Sequence, residues 1–393
     1  MQILAIVLSI ISCLVALVWA SRHLLITRER RGGVFLHSGS PGAAAEPLIS
    51  VVVAAKDEEA NIEACLSTML GQDYGRFELI AVNDRSADRT GEIMARMAAA
   101  DTRLRHIDIQ ELPAGWYGKN NAMQRGIASS LGEWILMTDA DCRQLSPRTI
   151  SVAVAYAQQT GADLLSVLPV LEMKGFWENV VQPVCSGVMM IWFRPDKVND
   201  PARRNAYANG AFMLMKRSAY EAIGTHEAVR QQVNEDMHMA ARIKAASMRL
   251  VVVRGADLYA CRMYTSLRQT IRGWSRIFFG TFGTPARLAA SLTVLVVMGL
   301  LPYAAAALGW ATAASGWPYV ACGALGTAAA MLQISAIYRF YSLISARKWL
   351  AWTYPLGALV AIICVISAMT KLRKGAKVVW RSTAYATGVN TRP

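Results

Sequence analysis

The chain has 393 residues, of which 54% are hydrophobic and 17% charged, with a net charge of +14. That length and apolar share exclude a small soluble domain with one core, and leave room for one large domain plus membrane segments. No nucleic-acid motif accompanies the basic charge, which is therefore assigned to anionic lipid and phosphate-bearing ligands, with no nucleic-acid partner.

Met1–Ser21 carries no charged side chain and is long enough for one spanning helix, which needs about 20 apolar residues. Arg22, Arg28, Arg30 and Arg31 follow it and none precedes it, the wrong polarity for a cleaved signal peptide. An uncleaved anchor over 1–21 is expected, with the N-terminus outside and a basic cytoplasmic linker over 22–47. Leu48–Ala55 is an apolar, β-branched run of the kind buried on both faces of a parallel sheet. Asp57 then reads as the N-cap of a helix over Glu58–Leu70. Glu78–Val82 is a second strand, ending at Asn83-Asp84. A helix over Arg89–Ala99, a strand over Arg103–Ile109, a helix over Asn121–Ser130 and a strand over Glu133–Thr138 complete the alternation.

Asp139-Ala140-Asp141 follows directly. Residues i and i+2 share one face of a strand, so both carboxylates can meet one divalent cation, and hard cations such as Mg2+ take oxygen ligands shared with substrate phosphates. Strand–helix alternation at this spacing predicts a parallel, doubly wound sheet, whose ligands sit beyond the carboxyl ends of the strands. Asp57, Asp84 and the Asp139/Asp141 pair all fall at such ends. Neither a phosphate-binding G-x-x-x-x-G-K-S/T loop nor a G-x-G-x-x-G fingerprint is present, so a nucleotide would be held in another way.

Phe176–Phe193 is apolar but interrupted by Glu178 and Pro183. A spanning helix there would place Asp141 and Asp236 in different compartments, so an amphipathic segment in the bilayer interface is expected over 176–193, with Trp177 and Trp192 at headgroup level. Met237–Ala246 reads as a helix with Glu235 and Asp236 at its positive end. Leu288–Tyr338 has the length of a helical hairpin turning near Gly316-Trp317-Pro318, and Trp349–Thr370 of a further helix, giving two or three membrane helices over 286–370. Three would put Lys371, Arg373, Lys374, Lys377 and Arg381 outside, against the positive-inside rule. A cytoplasmic basic tail over 371–393 is therefore expected, with Pro355 marking a re-entrant or interfacial segment. The seven cysteines stand singly, without C-x-x-C or metal-ligand spacing, and no disulfide is expected.

Four motifs in order resemble family 2 glycosyltransferases, the inverting nucleotide-sugar enzymes of the GT-A fold. They are Val52-Val53-Ala54-Ala55-Lys56-Asp57-Glu58-Glu59, Val82-Asn83-Asp84-Arg85-Ser86, the D-x-D of Asp139 and Asp141, and Asn234-Glu235-Asp236. The resemblance covers about 48–285. Leu112-Pro113-Ala114-Gly115-Trp116-Tyr117-Gly118-Lys119 is similar to a G-W-x-G-K segment of membrane-anchored transferases that act on lipids, including ceramide glucosyltransferases and bacterial enzymes of hopanoid and carotenoid glycosylation. Val198-Asn199-Asp200-Pro201 and Asn209-Gly210-Ala211-Phe212 echo the same enzymes.

The resemblance implies an α/β fold of GT-A type, a Rossmann-like mostly parallel sheet flanked by helices, with transmembrane helices at both ends. It implies that Asp57 and Asp84 contact the uracil and ribose of a UDP-sugar, and that Asp139 and Asp141 hold Mg2+ or Mn2+ against the diphosphate, with Asp141 the more direct ligand. Lys119 would face phosphate, and Asp236 would be the general base, with Glu235 beside it as the alternative. Each has a plain structural counterpart: a helix cap for Asp57, a solvated loop lysine for Lys119, and an acidic helix N-terminus for Asp236. His238 reads as structural. Arg272-Gly273-Trp274-Ser275-Arg276 departs from the Q-x-x-R-W of processive synthases. Arg272, Trp274 and Arg276 are either donor contacts or part of a basic interfacial helix.

The expected protein is a multi-pass enzyme of the inner (cytoplasmic) membrane, its catalytic domain in the cytoplasm. It would move a single sugar, with inversion, from a UDP-sugar to a lipid acceptor drawn from the bilayer. A processive polysaccharide synthase and an inactive membrane scaffold of the same fold are the alternatives.

Overall fold

Ile49–Ala55 is apolar at consecutive positions because alternate residues serve opposite sides of a sheet. Val51 and Val53 enter one buried cluster and Val52 the other, as do Leu79 and Ala81 against Ile80 and Val82. Both clusters are covered by helices, which is why the strands show no polar alternation. In the computed structural model, residues 1–373 are described, together with the strands Lys377–Trp380 and Thr383–Ala386. The rest of the basic tail expected over 371–393 lies outside the described residues.

The strands are β1 (Phe35–Leu36), β2 (Ile49–Ala55), β3 (Phe77–Asp84), β4 (Leu104–Ile109), β5 (Trp134–Asp139), β6 (Cys142–Gln144), β7 (Leu164–Leu168), β8 (Val170–Leu171), β9 (Met213–Lys216), β10 (Leu250–Gly255) and β11 (Tyr259–Cys261). Eight of them form one sheet in the order β1-β10-β7-β9-β5-β2-β3-β4. All its pairings are parallel except those of β9, which runs antiparallel to β5 and β7. The expected mostly parallel, helix-flanked α/β sheet is what forms. A smaller sheet, β6-β11-β8, stands beyond the end of β5.

The chain divides into two compact units. One comprises Val34–Glu172 and Met190–Met263 and holds both sheets; the other comprises Met1–Gly33, Met173–Met189 and Tyr264–Arg373 and is helical.

Several expected boundaries shift in the sheet-bearing unit. The helix expected from Glu58 starts at Ile62, with Asn61 at its N-cap position. Asp57 does not cap it: its backbone is left-handed (φ 53°), and its Oδ1 accepts the Ala87 N–H at 2.8 Å. The following turn is tied to the β3 loop instead, the Glu58 N–H donating to Thr90 Oγ1 at 2.8 Å and the Glu59 N–H to Asp88 Oδ2 at 3.0 Å. The helix expected at Asn121 begins at Gly118, so Lys119 lies in its first turn and not in a loop before it. The early start is held by Asn120, whose Nδ2 donates to the carbonyls of Val229, Arg230 and Gln232, and by the Tyr117 N–H donating to Arg230 O at 2.8 Å. Residues 22–47 are not a free linker. The first helix, Gln2–Gly32, runs on through the arginines, and β1 then pairs with β10 at the sheet edge.

In the helical unit, four helices are long and apolar enough to cross a membrane: Gln2–Gly32, Pro285–Ala311, Trp317–Tyr341 and Lys348–Thr370. Some polar groups between them are matched. Arg339 reaches Thr27 Oγ1 at 2.6 Å and His23 Nδ1 at 3.0 Å, and Tyr303 OH donates to Gln333 Oε1 at 2.6 Å. Gly309 and Gly326 sit where a Cβ would collide with backbone of the neighbouring helix, the close approach that small residues permit in membrane bundles. Pro355 does not break a span. It occupies the first turn of the helix Tyr354–Thr370, where its missing N–H costs nothing. Phe176–Trp192 is a continuous helix with Pro183 inside it. Its Val180 and Val184 lie against Gly357, and Asn179 Oδ1 accepts the Arg347 N–H at 3.2 Å. Glu178 is buried, accepting the Gly175 N–H.

Candidate active site

The sheet register puts the acidic strand ends side by side. Ala54 of β2 is level with Val82 of β3 and with Asp139 of β5, so the chain leaves all three strands at one edge. Asp57, Asp84, Asp139 and Asp141 occupy those exits. Across from them, the Asn209–Phe212 segment enters β9, with the Ala211 carbonyl accepting from Thr138 Oγ1 at 2.8 Å. The helix Glu235–Ala245 brings its first turn to the same place.

Lys119 joins the two sides. Its Nζ lies 2.6 Å from Asp139 Oδ1 and 2.8 Å from Glu235 Oε1. Burial alone would lower the ammonium's pKa, but the charges of Asp139, Glu235 and Asp236 override it and hold the pKa well above the usual lysine range. Lys119 is thus a permanent cation between the D-x-D and the Glu235-Asp236 pair, not a solvated loop lysine. Gly210 fills the remaining space: a Cβ there would stand 3.1 Å from Lys119 Nζ and 3.4 Å from Asp236 Oδ2. The Asn209–Phe212 stretch resembles its relatives in sequence, but its contact with the base candidate is legible only in three dimensions.

Asp236 is held by two backbone amides, Gly210 N–H to Oδ2 at 2.9 Å and Met237 N–H to Oδ1 at 2.7 Å. Burial, followed by the neighbouring Glu235, pushes its carboxyl up to about 7, against the lowering effect of Lys119 and the two amides. It therefore changes protonation near neutral pH. His226 and His238, also nearby, are kept neutral by burial, at about 3 and about 4.

Asp141 stands apart from Asp139. Burial, then Asp139 and Glu58, push its carboxyl up to about 7. Its Oδ1 lies 3.4 Å from Cys261 Sγ and 3.7 Å from Cys142 Sγ. The sequence does not show this grouping, since Cys261 arrives from β11, far along the chain. Glu58, assigned no role from sequence, is the third carboxylate of the group. Asp139 and Glu58 lie close enough for their charges to raise the Asp141 carboxyl, and the Lys119 ammonium close enough to lower it.

Asp84 is buried and pairs with Arg85, whose Nε and Nη2 meet its oxygens at 2.8 and 3.1 Å. The carboxylate lies against Gly118, where any Cβ would strike it. Arg85, missed from sequence, has a left-handed backbone (φ 56°) that turns it back onto its neighbour. Arg272, Trp274 and Arg276 fall on the helix Leu267–Phe282 of the helical unit. Arg272 is exposed, while Trp274 is buried with its ring centroid 5.5 Å from that of Phe278.

A mostly parallel sheet with clustered acids at its carboxyl edge and helices on both faces is the architecture of GT-A glycosyltransferases. Residues 50–224 match the model of Glycosyl transferase family 2. It is 24% identical over 296 residues to 4,4'-diaponeurosporenoate glycosyltransferase of Staphylococcus aureus strain N315, covering 75% of this chain and 74% of that protein. The enzyme of the same name from strain MRSA252 is 25% identical over 288 residues, covering 70% and 75%. Among solved structures, the mannosyltransferase PcManGT of Pyrobaculum calidifontis, in complex with GDP-Man and Mn2+, aligns with a TM-score of 0.55. The identity is 20%, and the alignment covers 93% of this chain and 98% of that one. At that identity the likeness establishes the fold.

Proposed function

We propose that this protein transfers one sugar, with inversion, from a nucleotide-sugar of the UDP class to an apolar acceptor held in a membrane. The observation that carries the reading is Asp236: a carboxylate fixed by two amides, pushed up to about 7, and linked through Gly210 and Lys119 to the D-x-D. Direct inversion needs one base to take the acceptor proton as its oxygen attacks the anomeric carbon, and a base with a pKa near the working pH does this best. Asp236 takes that role, with Glu235 engaged by the Lys119 ion pair.

Asp139, Asp141 and Glu58 would hold Mn2+ or Mg2+, and such a cation offsets charge growing on the leaving diphosphate. The PcManGT complex, of the same fold, contains Mn2+. Lys119 supplies a second positive charge toward the diphosphate. Asp57, partly exposed, is assigned to the nucleobase. Asp84, occupied by Arg85, is assigned to shaping the pocket edge next to the ribose. The apolar acceptor rests on the four long apolar helices and on the S. aureus relatives, whose name gives 4,4'-diaponeurosporenoate as what is glycosylated. The catalytic unit is assigned to the cytoplasmic side of the inner membrane.

The deciding assay is nucleotide release from UDP- and GDP-sugars by purified full-length protein with Mn2+ or Mg2+, with and without bacterial lipid extract. Lipid-stimulated UDP release that is lost in Asp236→Asn is the expected result. No release from any donor would overturn the reading, and a long saccharide product would replace it with a polymerase.

A further inference from the structure

We propose that Asp141, Cys142 and Cys261 form a binding site for a thiophilic divalent cation of the Zn2+ class, which shares the Asp141 carboxylate with the oxygen site assigned to donor binding and so competes with it. β6 and β11 run antiparallel with Cys142 directly opposite Cys261. The Leu145 N–H donates to Leu258 O at 2.8 Å, and the Arg262 N–H to Asp141 O at 3.5 Å, on either side of that pair. Hydrogen-bonded pairs alternate along an antiparallel ladder, so Cys142 and Cys261 form a non-hydrogen-bonded pair, where side chains approach most closely. Asp141 precedes Cys142 and turns its carboxylate onto both sulfurs.

The spacing fits a tetrahedral ion. With metal–sulfur bonds of about 2.3 Å and metal–oxygen bonds of about 2.0 Å, a tetrahedron has edges of about 3.5 Å for S···O and about 3.8 Å for S···S. The observed S···O distances are 3.4 and 3.7 Å, and all three ligand atoms lie within 4.8 Å of one another. No large movement is needed to close the set. Cys65 stands behind it, its thiol directed at the Asp139 carbonyl at 3.7 Å.

Thiols and a carboxylate together select a borderline-soft cation over Mg2+. Both sulfurs are buried, Cys142 at 1% and Cys261 at 4% exposure, while Asp141 is partly exposed and forms the way in. Binding one M2+ breaks two S–H bonds, forms two M–S bonds and one M–O bond, and releases two protons to solvent. The assignment rests on this geometry and needs no sugar donor, so its test is independent of transferase activity.

The probe is Cd2+, titrated into full-length protein reduced with a phosphine and kept in detergent. The thiolate-to-cadmium absorption should saturate at one equivalent and vanish in the Cys142→Ser/Cys261→Ser variant. Cys185→Ser/Cys364→Ser should keep it. Asp141→Asn, which retains both thiols, should bind Cd2+ more than about tenfold more weakly. Zn2+ should displace Cd2+ at equal concentration, and Mg2+ should fail at roughly hundredfold excess. Zinc K-edge absorption on the unsubstituted protein avoids any folding defect, and should show two sulfur scatterers at about 2.3 Å. A shell of oxygen and nitrogen alone, or a cadmium band unchanged in the Cys142→Ser/Cys261→Ser variant, would overturn the assignment.

Discussion

At the smallest scale the proposed chemistry rests on two side chains, one basic and one acidic. Asp236→Asn keeps the size of the carboxylate but cannot take a proton, and kcat should fall about 10²- to 10⁴-fold with little change in donor KM. In the unsubstituted protein the rate should climb with pH and level off above about 7, because the proposed base acts in its ionised form. Stability runs the other way. A carboxyl held near 7 in the fold but at its ordinary value in the unfolded chain binds its proton more tightly when folded. Its contribution is complete below the unfolded pKa and lost as pH rises through the folded one. Asp236→Asn should therefore gain stability relative to wild type as pH rises toward 7, read from denaturant midpoints at several pH values. Lys119→Gln removes the ammonium shared by Asp139 and Glu235. Charged hydrogen bonds of this kind are worth about 1.5–3 kcal/mol, so donor KM should rise roughly 10- to 150-fold, as steady-state kinetics would show.

Among elements, the helix Gly118–Ala128 matters most, because it carries Lys119 and lies flat on β2 and β3. Gly126 makes that approach possible: a Cβ there would stand 2.5 Å from Val52 Cγ1 and 2.9 Å from Val82 Cγ2. Gly126→Ala gains helix propensity but overpacks this contact, and should cost about 1–3 kcal/mol in unfolding free energy. A neutral or stabilising Ala would show that the helix stands further off the sheet. The loops after β2 and β3 form a second paired element. Ser86, Asp88 and Thr90 accept the amides of Asp57, Glu59 and Glu58, so neither loop is free to move alone.

At the scale of the whole molecule, four long apolar helices predict a protein that stays in the membrane fraction through alkaline extraction and leaves it only with detergent. Release by alkali would mean that these helices do not insert. Cytoplasmic placement of the sheet-bearing unit is tested at Leu131, which is 78% exposed on that unit. Leu131→Cys should resist an impermeant thiol reagent in intact cells and react once the membrane is opened. Labelling of intact cells would place the domain outside.

Much of the architecture is legible in the chain alone, because hydrophobic periodicity is a local property. Consecutive apolar residues at Ile49–Ala55 and Trp134–Asp139 require a sheet covered on both sides, and uncharged stretches of helical length require an apolar surrounding. The four acidic motifs were legible too, since each lies within a few residues of a strand end or a helix start. What only the tertiary structure decided depends on groups distant in sequence. The Lys119 bridge to Asp139 and Glu235 needs a helix and a strand exit to face the start of another helix. The wedge of Gly210 under Asp236 exists because β9 runs against its neighbours, and Cys142 meets Cys261 only through the register of two short strands. Asp57 shows the converse: local pattern made it a helix cap, but its left-handed backbone turned its carboxylate to the Ala87 amide instead. Periodicity specifies which face a residue occupies; which charges share a site follows from how those faces close on one another.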